Sequence, residues 1–409
     1  MIKYLFFLIG LISGLTIFAQ KESAENQKPV LTINGFVRAD AAFDTRMVVD
    51  AREGFFLFYP KKELLDKNGE DINARAGFNQ YATMSRLSGT ITGPVFMNTK
   101  ASAIMEADFT GHSNEDNNGF RLRHAYIKLE WEKAKLITGQ YWTPMDIPEA
   151  LPRVYSLNTG APFHSFNRSP QIRFEYRTGR LNWIFAALSQ RDLTSTGPAG
   201  PSQTYLRTGL VPNLHLQLQY KSENFQCGSG IDYKQLAPKT VTDSLLKTKE
   251  LVRSVSAVAF AKITTKPLDI IVQGVYGQNL FEHLMLGGYA VEKIDTASGK
   301  QEYINLNHLS VWADISTRTA PVKAGFFAGY AKNLGTHRDA TKEFYGRGND
   351  IESLFRVSGR LQYTYQALAV MTEIEFTRAA YGIPDLRYQF ANTDGVDNIR
   401  IQLSIAYYF

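Results

Sequence analysis

The final residues of the chain alternate without a break. Ile399, Ile401, Leu403, Ile405, Tyr407 and Phe409 are apolar, while Asn398, Arg400, Gln402, Ser404 and Ala406 between them are polar or small. Successive side chains of a strand point to opposite faces, so this stretch predicts a ribbon with one greasy side and one wet side. Similar segments recur between turn-forming residues all along the chain, which predicts an all-β fold of about sixteen antiparallel strands. A long amphipathic strand ending on an aromatic residue is an exposed edge unless it pairs with the first strand. Residues 31–409 are therefore expected to form a closed transmembrane β-barrel.

The first strand is expected over residues 31–44, with Leu31, Ile33, Val37, Ala39 and Ala41 toward lipid and Arg38 and Asp40 inward. The second covers 78–92 and the fifth 134–142. Pro144, Pro148, Pro152 and Pro162 exclude residues 143–169 from a sheet. That stretch is expected to be a stiffened loop folded into the barrel after strand five; the alternative is a loop that only caps the mouth. Residues 203–220 are expected to be one strand bent at Pro212, because splitting it would put a long loop on the short-turn side. Long loops at 45–77, 235–250, 279–301, 334–350 and 379–397 then alternate with short turns, as such barrels require. Tyr141, Trp142, Tyr330, Tyr363, Tyr365, Tyr407 and Tyr408 lie near strand ends, where aromatic girdles or ordinary cross-strand packing would place them.

At the other end, Lys3 precedes an apolar run to Phe18, and Ala19-Gln20 offers a small residue for cleavage. Residues 1–19 thus read as a signal peptide and 20–30 as a short periplasmic segment. Nothing later resembles a helical span, which excludes a helical inner-membrane protein. The single Cys227 leaves no intramolecular disulfide. A net charge of +6 is spread thinly with no Lys/Arg-rich run, so nucleic acid is not an expected partner.

In a barrel of this size, selectivity sits at the narrowest point and in the charges there. The loop carries Asp146, Glu149, Arg153, His164 and Arg168 as the expected constriction set. Arg38, Arg86, Arg356, Arg360 and Arg400 fall on predicted inner faces of strands that closure makes near neighbours, and Arg173 and Arg177 beside Glu175 extend the lining. Facing lipid, each guanidinium would cost about 2–4 kcal/mol at mid-depth. Facing water, it costs little and attracts anions. The expected function is a passive diffusion channel for small hydrophilic solutes that prefers anions and dicarboxylates. The alternative for each arginine is a carboxylate partner: Asp40 for Arg38, and Glu373 and Glu375 for Arg360 and Arg400.

Gly35-Phe36-Val37-Arg38 leading to Phe43-Asp44-Thr45-Arg46, the Gly139-Gln140-Tyr141-Trp142 end before a proline-rich loop, and the Ala406-Tyr407-Tyr408-Phe409 close resemble the DcaP-like branch of outer-membrane porins, more distantly related to phosphate-selective porins. The resemblance implies a homotrimer of sixteen-stranded channels in the outer membrane of a Gram-negative bacterium. Its partners would be small, often anionic solutes and the surrounding lipid and lipopolysaccharide. The terminal strand resembles the signal that the barrel assembly machinery reads. Residues 21–30 are too few for the coiled-coil stalk of some members.

Two rival classes remain. Seven histidines supply candidate bases for an outer-membrane lipase-like enzyme, but Gly228-Ser229-Gly230 lacks the nucleophile-elbow pattern, and no metal-binding spacing is present. No catalytic residue, cofactor or metal is therefore expected. A barrel serving as adhesin or scaffold is the second. Phe55, Phe56, Phe58 and Tyr59 in the loop at 45–77 are expected to form an exposed cluster that docks a neighbouring barrel. Residues 66–71 are acidic, but their glycine is misplaced for a calcium loop, so a solvated turn is expected.

Overall fold

Period-two alternation resolves into one closed sheet in the computed structural model, which describes residues 28–96, 98–318 and 321–409. The expected signal peptide lies outside them. The strands are β1 (Val30–Asp44), β2 (Gly77–Tyr81 and Arg86–Phe96), β3 (Thr99–Asp108), β4 (Arg121–Glu130), β5 (Ala134–Trp142), β6 (Arg168–Thr178), β7 (Leu181–Leu188) and β8 (Asn213–Lys221). They continue as β9 (Phe225–Leu236), β10 (Val252–Thr264), β11 (Leu268–Gln278), β12 (Asn307–Thr317), β13 (Val322–Gly335), β14 (Ile351–Tyr365), β15 (Leu368–Pro384) and β16 (Phe390–Tyr408). Of seventeen strand segments, the two halves of β2 pair end to end with the same strand β1, leaving sixteen staves, all antiparallel.

Closure is the work of the terminal strand. β16 pairs with β1 from Phe36↔Tyr408 to Asp44↔Arg400, and Gly35 and Phe409 exchange backbone hydrogen bonds of 3.0 and 3.1 Å. Glycine is required at 35, because a Cβ there would lie 2.4 Å from the Arg86 carbonyl oxygen and 2.7 Å from the Phe409 ring. Leu31, Ile33, Val37, Ile399, Ile401, Leu403 and Ile405 form part of an outward apolar belt, whereas Arg38, Asp40, Arg400, Gln402 and Ser404 are buried on the inner face. A sheet with no edge and an apolar perimeter satisfies its backbone in hydrocarbon. Tyr363, Tyr365 and Tyr407 are exposed near strand ends, as girdle residues should be, whereas Tyr330 is exposed in mid-strand. Tyr141 and Trp142 are not: they pack against His124 and, for Trp142, Phe166, because the next loop folds back over them.

Three loop expectations are corrected. Residues 203–220 are not one strand. Thr204–Thr208 is a helical turn whose Tyr205 and Leu206 bury against Leu236, Val252 and Tyr289, and β8 begins only after Pro212. Residues 279–301 are not plain loop: Gly287–Ile294 pairs with Gln301–Asn305 and Phe344–Arg347 in a small antiparallel sheet at the long-loop end. Likewise 379–397 is mostly a hairpin, since β15 and β16 stay paired out to Pro384↔Phe390 across a register shift next to Gly382.

The fourth correction concerns the aromatic cluster. Val48–Ala51 and Phe56–Pro60 form a hairpin, and Phe55, Phe56, Phe58 and Tyr59 are buried with Trp142, Met145, Phe163 and Phe166. Cover comes from the same chain, so a neighbouring barrel is not needed to shield them. That cluster is continuous with inward residues of four wall strands: Val258, Phe260, Ile271, Val275, Trp312, Phe327 and Ala331. The inner face of β10 to β13 is thus partly apolar, as a seat for inserted chain.

Candidate functional site

The inserted chain is residues 143–167. Two short 3-10 turns, Pro144–Asp146 and Pro148–Ala150, start with proline, whose fixed φ and missing N–H suit a first turn. Asp146 ties the ends of the loop together. Its carboxylate accepts from Thr143 Oγ1 at 2.6 Å, Ser165 Oγ at 2.7 Å and the Asn167 N–H at 3.2 Å, and its carbonyl lies 3.2 Å from His164 Nε2. Asp146 and His164 are fully buried, so both frame the loop rather than face solutes.

Between those ends the loop is bonded to inward side chains of the wall. Gln273 Nε2 donates to the Met145 carbonyl at 3.0 Å and Lys262 Nζ to that of Glu149 at 2.7 Å. The Arg153 N–H donates to Asp314 at 3.1 Å, and its guanidinium donates to Ser316 and Asp269. Glu373 accepts from the N–H groups of Tyr155 at 2.6 Å and Ser156 at 3.1 Å, while Arg38 donates to the Tyr155 carbonyl at 2.7 Å.

Four of the seven wall arginines are held by a carboxylate, and three of them, Arg38, Arg356 and Arg400, also reach backbone carbonyls. A guanidinium presents five donors in a fixed fork, so one edge can hold a carboxylate while the rest reach carbonyls. Arg400 sits 2.7 Å from Asp44 and donates to the Phe55 carbonyl at 3.0 Å. Arg356 sits 3.2 Å from Glu375 and donates to the carbonyls of Ala161 and Phe58, both at 2.8 Å. Arg360 pairs with Asp314 and Arg38 with Asp40, each at 2.7 Å. The expected wall of arginines exists, but the charge of each of these four is met by a carboxylate; Arg38 and Arg356 hold residues 143–167, and Arg356 and Arg400 hold the turn and second strand of the 48–60 hairpin. The partners differ in part from those that spacing suggested: Arg360 takes Asp314 and Arg400 takes Asp44.

Arg86 belongs elsewhere, in a ladder that sequence reading missed. Arg86 lies 3.7 Å from Glu106; Arg123 is 2.7 Å from both Glu106 and Asp108; Arg121 is 3.0 Å from Asp108 and 3.8 Å from Asp192; Arg168 is 2.9 Å from Asp192. Four guanidinium groups face three carboxylates, a formal excess of one positive charge. The signal was present: Arg121 and Arg123 flank the outward Leu122 in strand alternation. Arg168 is also clasped by the rings of Trp142 and Phe166, at 4.7 and 5.0 Å, a packing that favours cation over ring.

Arg173 on β6 and Lys135 on β5 both stand 2.8 Å from Glu175, and Arg177 on β6 is exposed. Lys135, Glu175 and Arg177 open on a cavity of about 390 Å³ at the short-turn end, which the buried Arg173 does not line. Lys133, Lys135, Arg177, Arg180 and Lys221 line it against Glu130, Glu149 and Glu175, five positive groups to three negative. A second cavity of about 450 Å³, reached by Arg153, Tyr155, Arg318, Lys323 and Arg360, holds Asp269 as its carboxylate. In the outer loop, Asp66 Oδ1 accepts the N–H groups of Glu70 and Asn68, which hold its carboxyl below the ordinary range. That oxygen is engaged by its own turn.

No family model matches the sequence, and no curated protein matches it. Among solved structures, the fold is similar to the outer membrane channel DcaP of Acinetobacter baumannii, with a TM-score of 0.70 at 15% identity over 94% of this chain and 98% of that one. It is also similar to OmpT, an outer membrane protein of Vibrio cholerae solved in trimer form (TM-score 0.56, 11% identity, 93% and 99% covered). A third likeness is OmpF of Salmonella typhi in complex with daunomycin (TM-score 0.52, 10% identity, 93% and 97% covered). At such identities the likeness is one of fold. The closed barrel, its apolar perimeter and these outer-membrane likenesses locate the chain in the outer membrane of a Gram-negative bacterium.

Proposed function

We propose that this protein is a DcaP-like porin, a homotrimer whose barrels let small hydrophilic solutes diffuse passively, with a preference for anions such as dicarboxylates. The observation that carries the preference is the short-turn cavity, where five cationic side chains face three carboxylates. An excess of fixed charge between low-dielectric walls concentrates ions of opposite sign. Support also comes from the ladder of Arg86, Arg121, Arg123 and Arg168, and from the one-sided charge of the second cavity. Residues 143–167 act as the constriction, with Glu149, Arg153 and Tyr155 as the loop residues that reach the cavities. Lipid and lipopolysaccharide surround the barrel, and the β16 terminus engages the assembly machinery.

The test is a planar bilayer with a salt gradient across it. The purified protein is expected to give a reversal potential of the sign set by anions, and Arg177→Glu, in that cavity, to shift it toward cations. Cation selectivity in the unaltered protein contradicts the proposal.

A further inference from the structure

We infer that the outer face of β8 to β12 holds one molecule of lipopolysaccharide, with a lipid A phosphate on Arg253 and an acyl chain in the groove below it. The inference rests on the outer-membrane placement and gives the lipid contact of the porin reading a single address.

The groove follows from the register of the sheet. From β8 to β12 one outward row runs Leu216, Ile231, Ala257, Tyr276, Leu309, and the next runs Leu218, Ser229, Ala259, Gly274, Val311. Small residues stand in the middle of each row and large ones at its ends, so the perimeter dips into a mainly apolar cavity of about 690 Å³. Gly274 lies on its floor. A Cβ there would meet only the Ser310 carbonyl oxygen, at 3.5 Å, an ordinary contact. The sheet itself does not require glycine at this position, and a glycine inside a strand marks a place where something else approaches the bare backbone. In the hydrocarbon region an acyl chain does so.

Charge sets the headgroup end. Two outward cations at the long-loop ends of β13 and β15 are neutralised: Lys332 is 3.1 Å from Glu352 and Arg378 is 2.7 Å from Asp397. Arg253 on β10 is exposed and, among the described residues, has no carboxylate partner. Its Nε donates to Gln235 Oε1 at 3.2 Å, and Gln235 is held in turn by its Nε2 on the Gly209 carbonyl at 2.8 Å. Both Nη groups are left free, a fork that matches two phosphate oxygens. Arg253 shares the outer face of β10 with Ala257 and Ala259. Those residues stand about 13 and 20 Å farther along the strand, or about 10 and 15 Å deeper at a tilt near 40°. The groove thus occupies the deeper part of the leaflet whose headgroups Arg253 meets, since half the hydrocarbon core is about 15 Å. Because it spans five strands, the tilt does not carry a chain hung from Arg253 past it. Long loops face outward in such barrels, and the phosphate-bearing lipid of that leaflet is lipopolysaccharide.

The test is native mass spectrometry of the purified full-length protein in detergent, titrated with a deep-rough lipopolysaccharide (lipid A with its inner-core sugars) and, separately, with phosphatidylglycerol. One glycolipid per protomer is expected to bind, and to bind about tenfold more weakly to Arg253→Glu and to Gly274→Leu. Gly359→Leu supplies the same bulk on the outer face of β14, where a Cβ meets nothing within 4 Å, and is expected to bind as the unaltered protein does. Heat-modifiable migration checks that each variant is folded. Undiminished binding to Arg253→Glu or Gly274→Leu overturns the site. Phosphatidylglycerol held as tightly, and lost in the same variants, overturns the choice of lipid. A change of subunit number in Gly274→Leu gives the groove to a second copy instead. None of these outcomes touches conduction, whose absence in a bilayer would strike the porin reading and leave this site standing.

Discussion

At the scale of single residues, the lumen divides its charges into two kinds. Arg356 is of the anchoring kind: fully buried, it satisfies Glu375 and two loop carbonyls at once. Removing one partner of such a pair leaves the other uncompensated, at a cost of about 3–5 kcal/mol. Arg356→Met is therefore expected to lower the temperature at which the barrel loses its folded mobility in gel-shift assays, with little change in ion preference. An unchanged melting temperature would show that the carbonyl contacts carry no weight. Arg177, exposed in the short-turn cavity, is of the other kind, and its substitution is expected to move selectivity more than stability. Gly35 makes a separate point. With Phe409 and the Arg86 carbonyl already in contact distance of the missing Cβ, Gly35→Val is expected to unseat the terminal ring and reduce the yield of folded barrel. Full yield would contradict the closure geometry.

Whole elements show where alternation was sufficient and where it was not. β16 could be read at once because its two faces meet different solvents, and Leu403→Arg on the outer one is expected to cost about 2–4 kcal/mol near mid-depth. Measured as loss of heat-modifiable folded protein, a neutral result would put that face out of the membrane. The stretch before β8 was misread because Tyr205 and Leu206 are apolar for a local reason, the packing of a helical turn, which period two cannot distinguish from a strand. The β15–β16 extension was hidden by Gly382 and Pro384, which signal a loop but here accompany a register shift. The apolar inner faces of β10 to β13 break the polar-inside rule, and the chain folded inside the wall, residues 143–167 with the 48–60 hairpin, explains them. The same contact turned Phe55 to Tyr59 from an apparent docking patch into core. Spacing alone does not tell which surface a long loop will find. Glu373 tests that loop directly. Glu373→Leu removes the acceptor of two backbone N–H groups, each costing about 1–3 kcal/mol if left buried and unmet. Larger and noisier single-channel currents are expected; currents identical to the unaltered protein would mean the loop tip is held by other contacts.

For the molecule as a whole, what the chain's pattern conveyed was the separation of solvents: an apolar perimeter, a charged interior, and two ends joined. What it did not convey was how much of that interior the chain itself occupies. Hairpin 48–60 and residues 143–167 share one core inside the wall, so the channel of the proposed porin is what remains beside them. The central claim is that this remainder is a continuous water path. Single-channel recording of the purified protein in a planar bilayer tests it most directly. Discrete, ohmic conductance steps are the predicted result, and a correctly folded, inserted barrel that passes no current would contradict it.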